Sequence, residues 1–328
     1  MSSVSIVMYH YVRDLKNGKF NNIKGLDIAL FKEQLDFFKR NYCVIKMEDL
    51  IYSVESKKQL PKNALLLTFD DGYIDHSENV LPLLEKYNMQ GSFFPPAQNF
   101  YEKKLLNVNK VHFALASCPI ESIYIDTLKE IDYQRKQGHN IPKSETLVQK
   151  YALPNRFDDA KTIFVKRALQ TILPEKIRDI IADKLFGKYV GEQTEVFAQQ
   201  LYMQKNHLKD LKNAGMFIGL HSYNHCWLGH LNKEAQEIEL KKALFAMKEF
   251  IDIDNWVMNY PYGSYNKETI EILEKLNCKL ALTTSVDVCD LSVHNKFELP
   301  RLDTVDFPPV SNNYLKYEKK VLHELSIW

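Results

Sequence analysis

Residues 64–72 read ALLLTFDDG, an apolar run that ends in two adjacent carboxylates and a glycine. A continuous apolar run bounded by turn residues is typical of a strand that is buried on both faces of a parallel sheet. Functional sites of barrels and open α/β sheets form at the carboxyl ends of such strands. Asp70 and Asp71 therefore belong either to a site that uses a cation or a proton acceptor, or to an ordinary Asp-Asp-Gly turn.

Short apolar runs alternate with helical patterns on both sides of this strand, which predicts βα units around a largely parallel sheet. The predicted strands are 5–10, 42–46, 64–69, 91–94, 216–220, 256–260, 279–284 and 297–301, and the predicted helices between them are 30–40, 76–88, 208–214, 233–250 and 267–276. Between about residues 100 and 200 the alternation gives way to helical patterns, among them 158–172 and 175–186. We therefore predict an α/β fold with a single domain over residues 1–328, a mostly helical insertion at about 100–200, and a C-terminal helix at about 314–328.

Length and composition exclude several classes of protein. A chain of 328 residues can bury enough surface to fold without a disulfide or a structural metal, so a bound metal would serve chemistry. With 43 Lys and Arg against 42 Asp and Glu, the net charge is +1, which provides no electrostatic footprint for nucleic acid or anionic lipid. The five cysteines are scattered and include no Cys-x-x-Cys pair, which indicates reduced thiols in a reducing compartment.

Two further polar stretches also follow predicted strands. HSYNH at residues 221–225 comes directly after the strand at 216–220. Histidines at i and i+4 lie on the same side of a helical turn, so His221 and His225 can bind one divalent ion together with a carboxylate from elsewhere. NYPYG at residues 259–263 is either a Pro/Gly turn or a loop that presents an aromatic wall and a backbone N–H to a carbonyl oxygen.

The combination of TFDDG and HSxxH resembles the polysaccharide deacetylases, the NodB-homology family also called carbohydrate esterase family 4. The resemblance covers the chain except for the insertion and the C-terminal tail, and it is carried by residues 6–13, 64–95, 209–231, 255–265 and 279–303. It implies a distorted (β/α) barrel of the NodB type with seven strands, which agrees with the alternating pattern of strands and helices.

The resemblance also implies a chemistry for the site. Asp70 would act as the general base, and Asp71, His221 and His225 would hold one divalent ion. Zn²⁺ is the first expectation, and Co²⁺, Ni²⁺ or Fe²⁺ suit the same ligands. The ion would acidify a water that attacks an amide carbonyl while Asp70 takes its proton. The residues implied to line the substrate groove and to supply an oxyanion N–H are Tyr260, Pro261 and Tyr262.

The sequence departs from the family's pattern at two positions. Many members carry an arginine where this chain has Asn259, and many carry a late Leu-x-His where it reads Leu-Pro-Arg at residues 299–301. We hypothesise that Arg301 reaches Asp70 from the last strand and replaces the missing arginine. His10, at the end of the first strand, is the candidate for the general acid that the missing histidine would supply; the alternative is that His10 is a buried structural histidine.

The predicted function is removal of an N-acyl group, N-acetyl first, from an amino sugar in a cytosolic saccharide, a sugar nucleotide or a lipid-linked glycan. Deformylation, O-deacetylation and cyclic-amide opening are alternatives on the same scaffold. A non-catalytic carbohydrate-binding barrel is an alternative from another class. The missing arginine and the missing histidine of the family's pattern give this alternative some support. The sequence shows no signal-peptide pattern and no stretch of 18 apolar residues, which predicts a cytoplasmic protein or one loosely attached to the inner membrane face.

Overall fold

The computed structural model describes residues 3–102 and 104–318. Within these residues the chain forms two compact units. The first contains residues 3–14, 25–102 and 199–318, and the second contains residues 15–24 and 104–198. The second unit coincides closely with the predicted insertion but also includes a short segment near the N-terminus. The description of the whole chain as one domain stays a prediction.

The elements of the described residues lie close to their predicted positions. The strands are β1 Ser3–Tyr9, β2 Val12–Arg13, β3 Leu26–Asp27, β4 Cys43–Val44, β5 Ala64–Asp70, β6 Gly91–Phe94, β7 Phe217–Ile218, β8 Val257–Asn259, β9 Leu280–Leu282, β10 Cys289–Asp290 and β11 Leu302–Asp303. The helices are α1 Ile28–Asn41, α2 Met47–Ser56, α3 Leu81–Tyr87, α4 Asn107–Ser117, α5 Ile120–Lys136, α6 Ser144–Tyr151, α7 Ala160–Arg167, α8 Glu175–Tyr189, α9 Thr194–Leu201, α10 Lys205–Asn213, α11 Lys233–Met247 and α12 Lys267–Lys275. Two π-helical segments, His76–Val80 and Ala168–Ile172, lie directly before α3 and directly after α7.

The first unit is built on a mixed sheet. β1 pairs in parallel with β5 and β11 and antiparallel with β10, while β5 also pairs in parallel with β4 and β6, and β6 with β7. β8 and β9 form a separate parallel pair. Isolated bridges at Leu220–Met258 and Leu282–Leu299 join that pair to its neighbours. The predicted α/β fold is confirmed. Among the described residues, single bridges rather than continuous ladders join β8 and β9 to the rest, so the strand ladders alone do not close a barrel.

The register of the central strands places their carboxyl ends at one edge. Every residue of β5 is buried, as the apolar run predicts for a strand covered on both faces. Tyr9 of β1 pairs with Phe69 of β5, and Asp70 pairs with Phe94 of β6. Because these strands are parallel and in this register, the residues that follow them emerge side by side, and the predicted site lies at this edge.

The predicted strand at residues 297–301 is wrong. Within it, Leu299 makes an isolated bridge to Leu282, and the regular pairing with β1 begins at Leu302. Pro300 lies between these two contacts and has no N–H to donate to a ladder, so the segment changes neighbours without forming a strand. The predicted C-terminal helix is present over residues 314–318, and the rest of that prediction lies outside the described residues.

Helices cover the sheet of the first unit and make up the second. α1 begins after Asp27, whose side chain accepts a hydrogen bond from the Ala29 N–H and caps the helix, and α1 buries Phe31, Leu35 and Phe38. In the second unit, helices α4 to α8 enclose an aliphatic and aromatic core. Within residues 3–102 and 104–318, no helix combines the length and the apolar character needed to cross a bilayer.

Candidate metal centre and active site

The turn after β5 directs its two carboxylates to different partners. Asp70 is the last residue of the strand, and Asp71 leaves it with a left-handed φ of 73°, followed by Gly72 at 69°. A Cβ on Gly72 would lie 2.6 Å from the Cβ of Pro95, so both the backbone angle and the available space require glycine there. The Asp-Asp-Gly sequence therefore forms a turn that also separates two buried acids.

Asp71, His221 and His225 converge on one point. Their candidate ligand atoms all lie within 4.8 Å of one another, and all three residues are buried. Asp71 Oδ1 is 3.4 Å from His221 Nε2 and 3.1 Å from His225 Nε2. Within the described part of the chain, this is the one group of three such residues with metal-ligand spacing.

The hydrogen bonds around this cluster leave ligand atoms available. His221 Nδ1 lies 2.7 Å from the carbonyl oxygen of Asn259 and donates to it, so its Nε2 keeps a lone pair. Tyr73 donates its hydroxyl to Asp71 Oδ2 at 2.6 Å. Asp71 Oδ1 is buried, and no well-aligned donor in residues 3–102 or 104–318 reaches it. A buried carboxylate oxygen that faces two imidazole nitrogens fits a divalent cation.

The protonation states fit the same interpretation. Burial by itself would raise the pKa of Asp71, but the adjacent His225 and His221 outweigh it and hold that pKa well below its ordinary value. Burial lowers the pKa of His225, although Asp71 opposes the shift. An ionised aspartate and a neutral histidine are the forms that bind a metal.

The two histidines do not share a helical turn, and that part of the prediction is wrong. Residues 221–227 form an irregular loop in which Ser222 and His225 both have left-handed backbones, with φ of 59° and 53°. The carbonyl of Ser222 accepts a hydrogen bond from the Ala97 N–H, and the next carbonyl accepts one from Gln98. This path still brings the His221 and His225 rings to a centroid distance of 4.9 Å.

Arg301 lies against Asp70. Its Nη1 and Nη2 donate to the two carboxylate oxygens at 2.9 and 2.8 Å, and the arginine side chain is fully buried. Thr283 O and Thr68 Oγ1 accept further hydrogen bonds from the same guanidinium. Burial would raise the pKa of Asp70, but the charge and hydrogen bonds of Arg301 lower it to about 2. Asn259, which stands where many relatives carry arginine, is buried, and its side-chain amide has no partner among the described residues.

His10 lies on the open side of the same carboxylate. Its Nε2 is 3.9 Å from Asp70 Oδ2, and its side chain is 39% exposed. The alternative that His10 is a buried structural histidine is therefore wrong. His76, buried below it, contacts the His10 carbonyl oxygen through Nε2 at 2.8 Å and fixes the backbone at that position.

The loop at residues 259–263 divides its aromatic residues between the core and the site. Tyr262 has a left-handed φ of 59°, and its ring lies edge-on to His225 at 4.7 Å and stacked on Trp227 at 4.5 Å. Tyr260 was expected to line the substrate groove, but it is fully buried, and its hydroxyl donates to the Phe297 carbonyl. Tyr260 directly follows β8 and is a core residue, so we exclude it from the substrate contacts.

A family model described as Polysaccharide deacetylase matches residues 57–141 and 156–281, more than half of the chain. This chain belongs to the polysaccharide deacetylase family. Family membership indicates a hydrolase that acts on carbon–nitrogen bonds other than peptide bonds, in a family whose members generally depend on a metal.

Individual relatives of this chain are distant. Over 100 residues, 30% of this chain and 33% of the relative, it is 24% identical to "Putative polysaccharide deacetylase YxkH" of Bacillus subtilis (strain 168), so the match spans about a third of that protein. The structure of the Streptococcus pyogenes deacetylase PplD in complex with acetate has a TM-score of 0.59 and 17% identity, with 96% of each chain covered. A de-N-acetylase from Aggregatibacter actinomycetemcomitans has a TM-score of 0.58 and 15% identity, with 96% of this chain and 100% of that chain covered. Structural matches at such identities show a shared fold.

The sequence analysis did not identify two residues that lie near the candidate site. Tyr73 contacts the ligand Asp71, and Trp227 stacks on Tyr262. Both lie two residues beyond a candidate ligand, Tyr73 after Asp71 and Trp227 after His225. An aromatic residue so close to a predicted ligand is a signal that could have identified them.

Proposed function

We propose that this chain removes the N-acetyl group from an amino sugar of a saccharide by metal-dependent hydrolysis. The observation that carries the proposal is the buried cluster of Asp71, His221 and His225 beside Asp70, whose two oxygens are held by Arg301. A site that had lost its catalytic function would have no physical need to keep two adjacent buried carboxylates charged. The arrangement therefore favours an enzyme over a non-catalytic binding barrel.

Asp71 Oδ1, His221 Nε2 and His225 Nε2 are the atoms proposed to hold the ion. Zn²⁺ suits this donor set best, and Co²⁺, Ni²⁺ and Fe²⁺ suit it as well. When bound, such an ion supplies acidity to water and polarises a carbonyl oxygen. Tyr73 keeps Asp71 oriented, because its own pKa is raised well above the ordinary value by burial, so the hydroxyl stays protonated and donates.

Asp70 is proposed as the proton acceptor. With a pKa of about 2, it is a carboxylate throughout the neutral range. A base this weak gives a small driving force, so it is effective only toward a strongly acidified water. Arg301 fixes both oxygens through one lone pair each and leaves the other lone pairs for the proton.

His10 is proposed to protonate the leaving amine, because it is the half-exposed titratable side chain next to Asp70. The Tyr262 backbone N–H is proposed to face the developing oxyanion, since Tyr262 lies in a left-handed turn and its ring contacts that of the proposed ligand His225. Pro261 sets the start of this turn, and the stacked pair of Tyr262 and Trp227 is proposed to line the sugar groove.

A location inside the cell stays a prediction that rests on the five free cysteines.

Release of acetate and formate from N-acylated and O-acetylated glycans tests this proposal. We expect acetate from N-acetylated amino sugars, and we expect Asp70→Asn to abolish its release while the protein still binds metal. Formate release, or acetate from O-acetylated sugars alone, would replace the proposed reaction by one of the alternatives. Metal-loaded wild-type protein that never exceeds Asp70→Asn on any of these substrates would favour a binding module.

A further inference from the structure

The loop that carries His221 and His225 is held in a costly conformation. Ser222 and His225 are non-glycine residues with left-handed backbones, and each such residue costs about 1–2 kcal/mol. Glycine, asparagine and histidine adopt this conformation more easily than serine, so the cost is largest at Ser222. Contacts from outside the loop must therefore hold it in place.

The backbone N–H groups of Ala97 and Gln98 hold two carbonyls of this loop, and Glu239 on helix α11 holds its N–H groups. Its Oε1 accepts the backbone N–H of Tyr223 at 2.9 Å and that of Asn224 at 2.5 Å. Its Oε2 accepts the side-chain amide of Asn224 at 2.7 Å. Glu239 is only 6% exposed, so these hydrogen bonds are shielded from water and are strong. One carboxylate thus fixes both peptide N–H groups that lie between the two strained residues.

His225 depends on this loop more than His221 does. The His221 ring is oriented by its own hydrogen bond to the Asn259 carbonyl. The buried Nδ1 of His225 has no hydrogen-bond partner in the described ranges, so the direction of this ring is set by its backbone and by ring contacts with His221 and Tyr262. A shift of the backbone at residues 223–224 would move His225 directly.

We propose that Glu239 is a positioning residue that holds His225 in the geometry needed to bind the divalent ion. It acts through the backbone of Tyr223 and Asn224 and touches neither the ion nor the substrate. The inference rests on the proposed function, because it requires Asp71, His221 and His225 to bind a metal. Outer partners that orient metal ligands typically change metal affinity by 10- to 100-fold when they are removed.

A purely structural role for Glu239 makes a different prediction. If Glu239 only joined α11 to the loop, its loss would lower thermal stability and leave the metal affinity of the folded protein unchanged. Gln236 supplies a matched control one turn earlier on α11. Gln236 is buried as well, and its side-chain amide donates to Leu231 and Asn266 and accepts from Thr269, with none of these bonds made to the metal loop.

The experiment measures the Zn²⁺ affinity of full-length, metal-stripped protein by competition with a chromophoric chelator, at a temperature where circular dichroism shows each variant to be folded. We expect Glu239→Ala to weaken Zn²⁺ binding by about 10- to 100-fold. Gln236→Ala should lose stability and keep wild-type affinity. Wild-type affinity in folded Glu239→Ala would overturn the inference alone, whereas wild-type protein that binds no Zn²⁺ would overturn the proposed function and the inference with it.

Two conservative variants decide the question if Glu239→Ala does not fold. Glu239→Gln keeps a carbonyl oxygen that can accept both backbone N–H groups, so it should retain most of the affinity. Glu239→Asp keeps the charge but is one methylene too short to reach the loop, so it should lose affinity. Equal Zn²⁺ affinities for the Gln and Asp variants would contradict a positioning role.

Discussion

Replacing Arg301 by alanine is expected to damage both the stability and the proposed turnover of this protein. Arg301 is fully buried, the side chain of Asp70 is 2% exposed, and two hydrogen bonds of 2.8–2.9 Å join them. The substitution leaves Asp70 as a buried charge without its counter-ion. Breaking a buried ion pair by removing one partner costs about 3–5 kcal/mol.

For a chain of 328 residues, this loss corresponds to a fall of about 4–7 °C in Tm. Turnover should fall by about 10²-fold or more, because the carboxylate proposed as base loses its fixed orientation. The double variant Asp70→Asn with Arg301→Met removes both charges. It should be more stable than Arg301→Ala, since neither partner is left charged and unpaired.

The assay pairs thermal unfolding with acetate release at saturating metal and substrate. Arg13→Ala is the matched control, because Arg13 also makes a two-point contact with a buried carboxylate, Asp75, at 2.8 Å for each hydrogen bond. The control should lose stability while its kcat stays near that of the wild type. If Arg301→Ala kept wild-type kcat, the proposed role of Arg301 in orienting Asp70 would be refuted.

Three further changes have defined outcomes. Tyr73→Phe removes the hydrogen bond to Asp71 Oδ2 and should weaken Zn²⁺ binding by about 10-fold in chelator competition; unchanged affinity would contradict the role of that hydroxyl. Burial lowers the pKa of His76 from 6.5 to about 4, so between these pH values the unfolded chain binds the proton first. The free energy of unfolding should therefore fall by up to about 3 kcal/mol as pH falls from 7 to 4, and urea titrations should show a shallower fall for His76→Asn; equal slopes would contradict this source. Gly263→Ala would place a Cβ 2.2 Å from Thr284 Oγ1 at a φ of 64°, and calorimetry should show a loss of about 2–5 kcal/mol, whereas a loss below 1 kcal/mol would contradict the tight turn.

Local patterns predicted much of the fold because local burial produces them. The run at residues 64–69 is apolar because β5 is covered on both faces, and its predicted bounds differ from the observed ones by a single residue. The predicted bounds of a strand were wrong where contacts with residues distant in sequence determine them. Leu299 and Leu302 pair with different strands, and the apolar character of 297–301 does not show that Pro300 separates the two pairings.

In the candidate site, too, some features follow from local sequence patterns and others depend on contacts distant in sequence. The two histidines and the Asp70–Asp71 pair could be brought together from their places at strand ends, since parallel strands bring those ends to one edge. The choice of Asp71 as the third ligand came from the resemblance to the polysaccharide deacetylases. The route of the loop between the two histidines could not be predicted, because it depends on contacts distant in sequence. One of them is Glu239, which lies 14 residues beyond His225 and accepts the backbone N–H groups of Tyr223 and Asn224. In the sequence, Glu239 is only an acidic residue on the buried face of a predicted helix, and this does not indicate which residues it contacts.

The sequence also did not predict which of the aromatic residues are buried. Tyr260 and Tyr262 are two residues apart and flank the same proline, yet Tyr260 is fully buried and Tyr262 lies beside His225. The left-handed backbone at Tyr262 separates them, and a tyrosine in that conformation has no distinctive sequence pattern.

Asp71, His221 and His225 are proposed to hold one divalent ion on which the hydrolysis depends. The most direct measurement strips the full chain with a chelator, adds back Zn²⁺, and records bound metal per chain and acetate release from an N-acetylated amino-sugar polymer. We predict one ion per wild-type chain, activity that is lost on stripping and restored by metal, and loss of both binding and activity in Asp71→Ala. Undiminished acetate release from the stripped protein, or from Asp71→Ala, would contradict the claim.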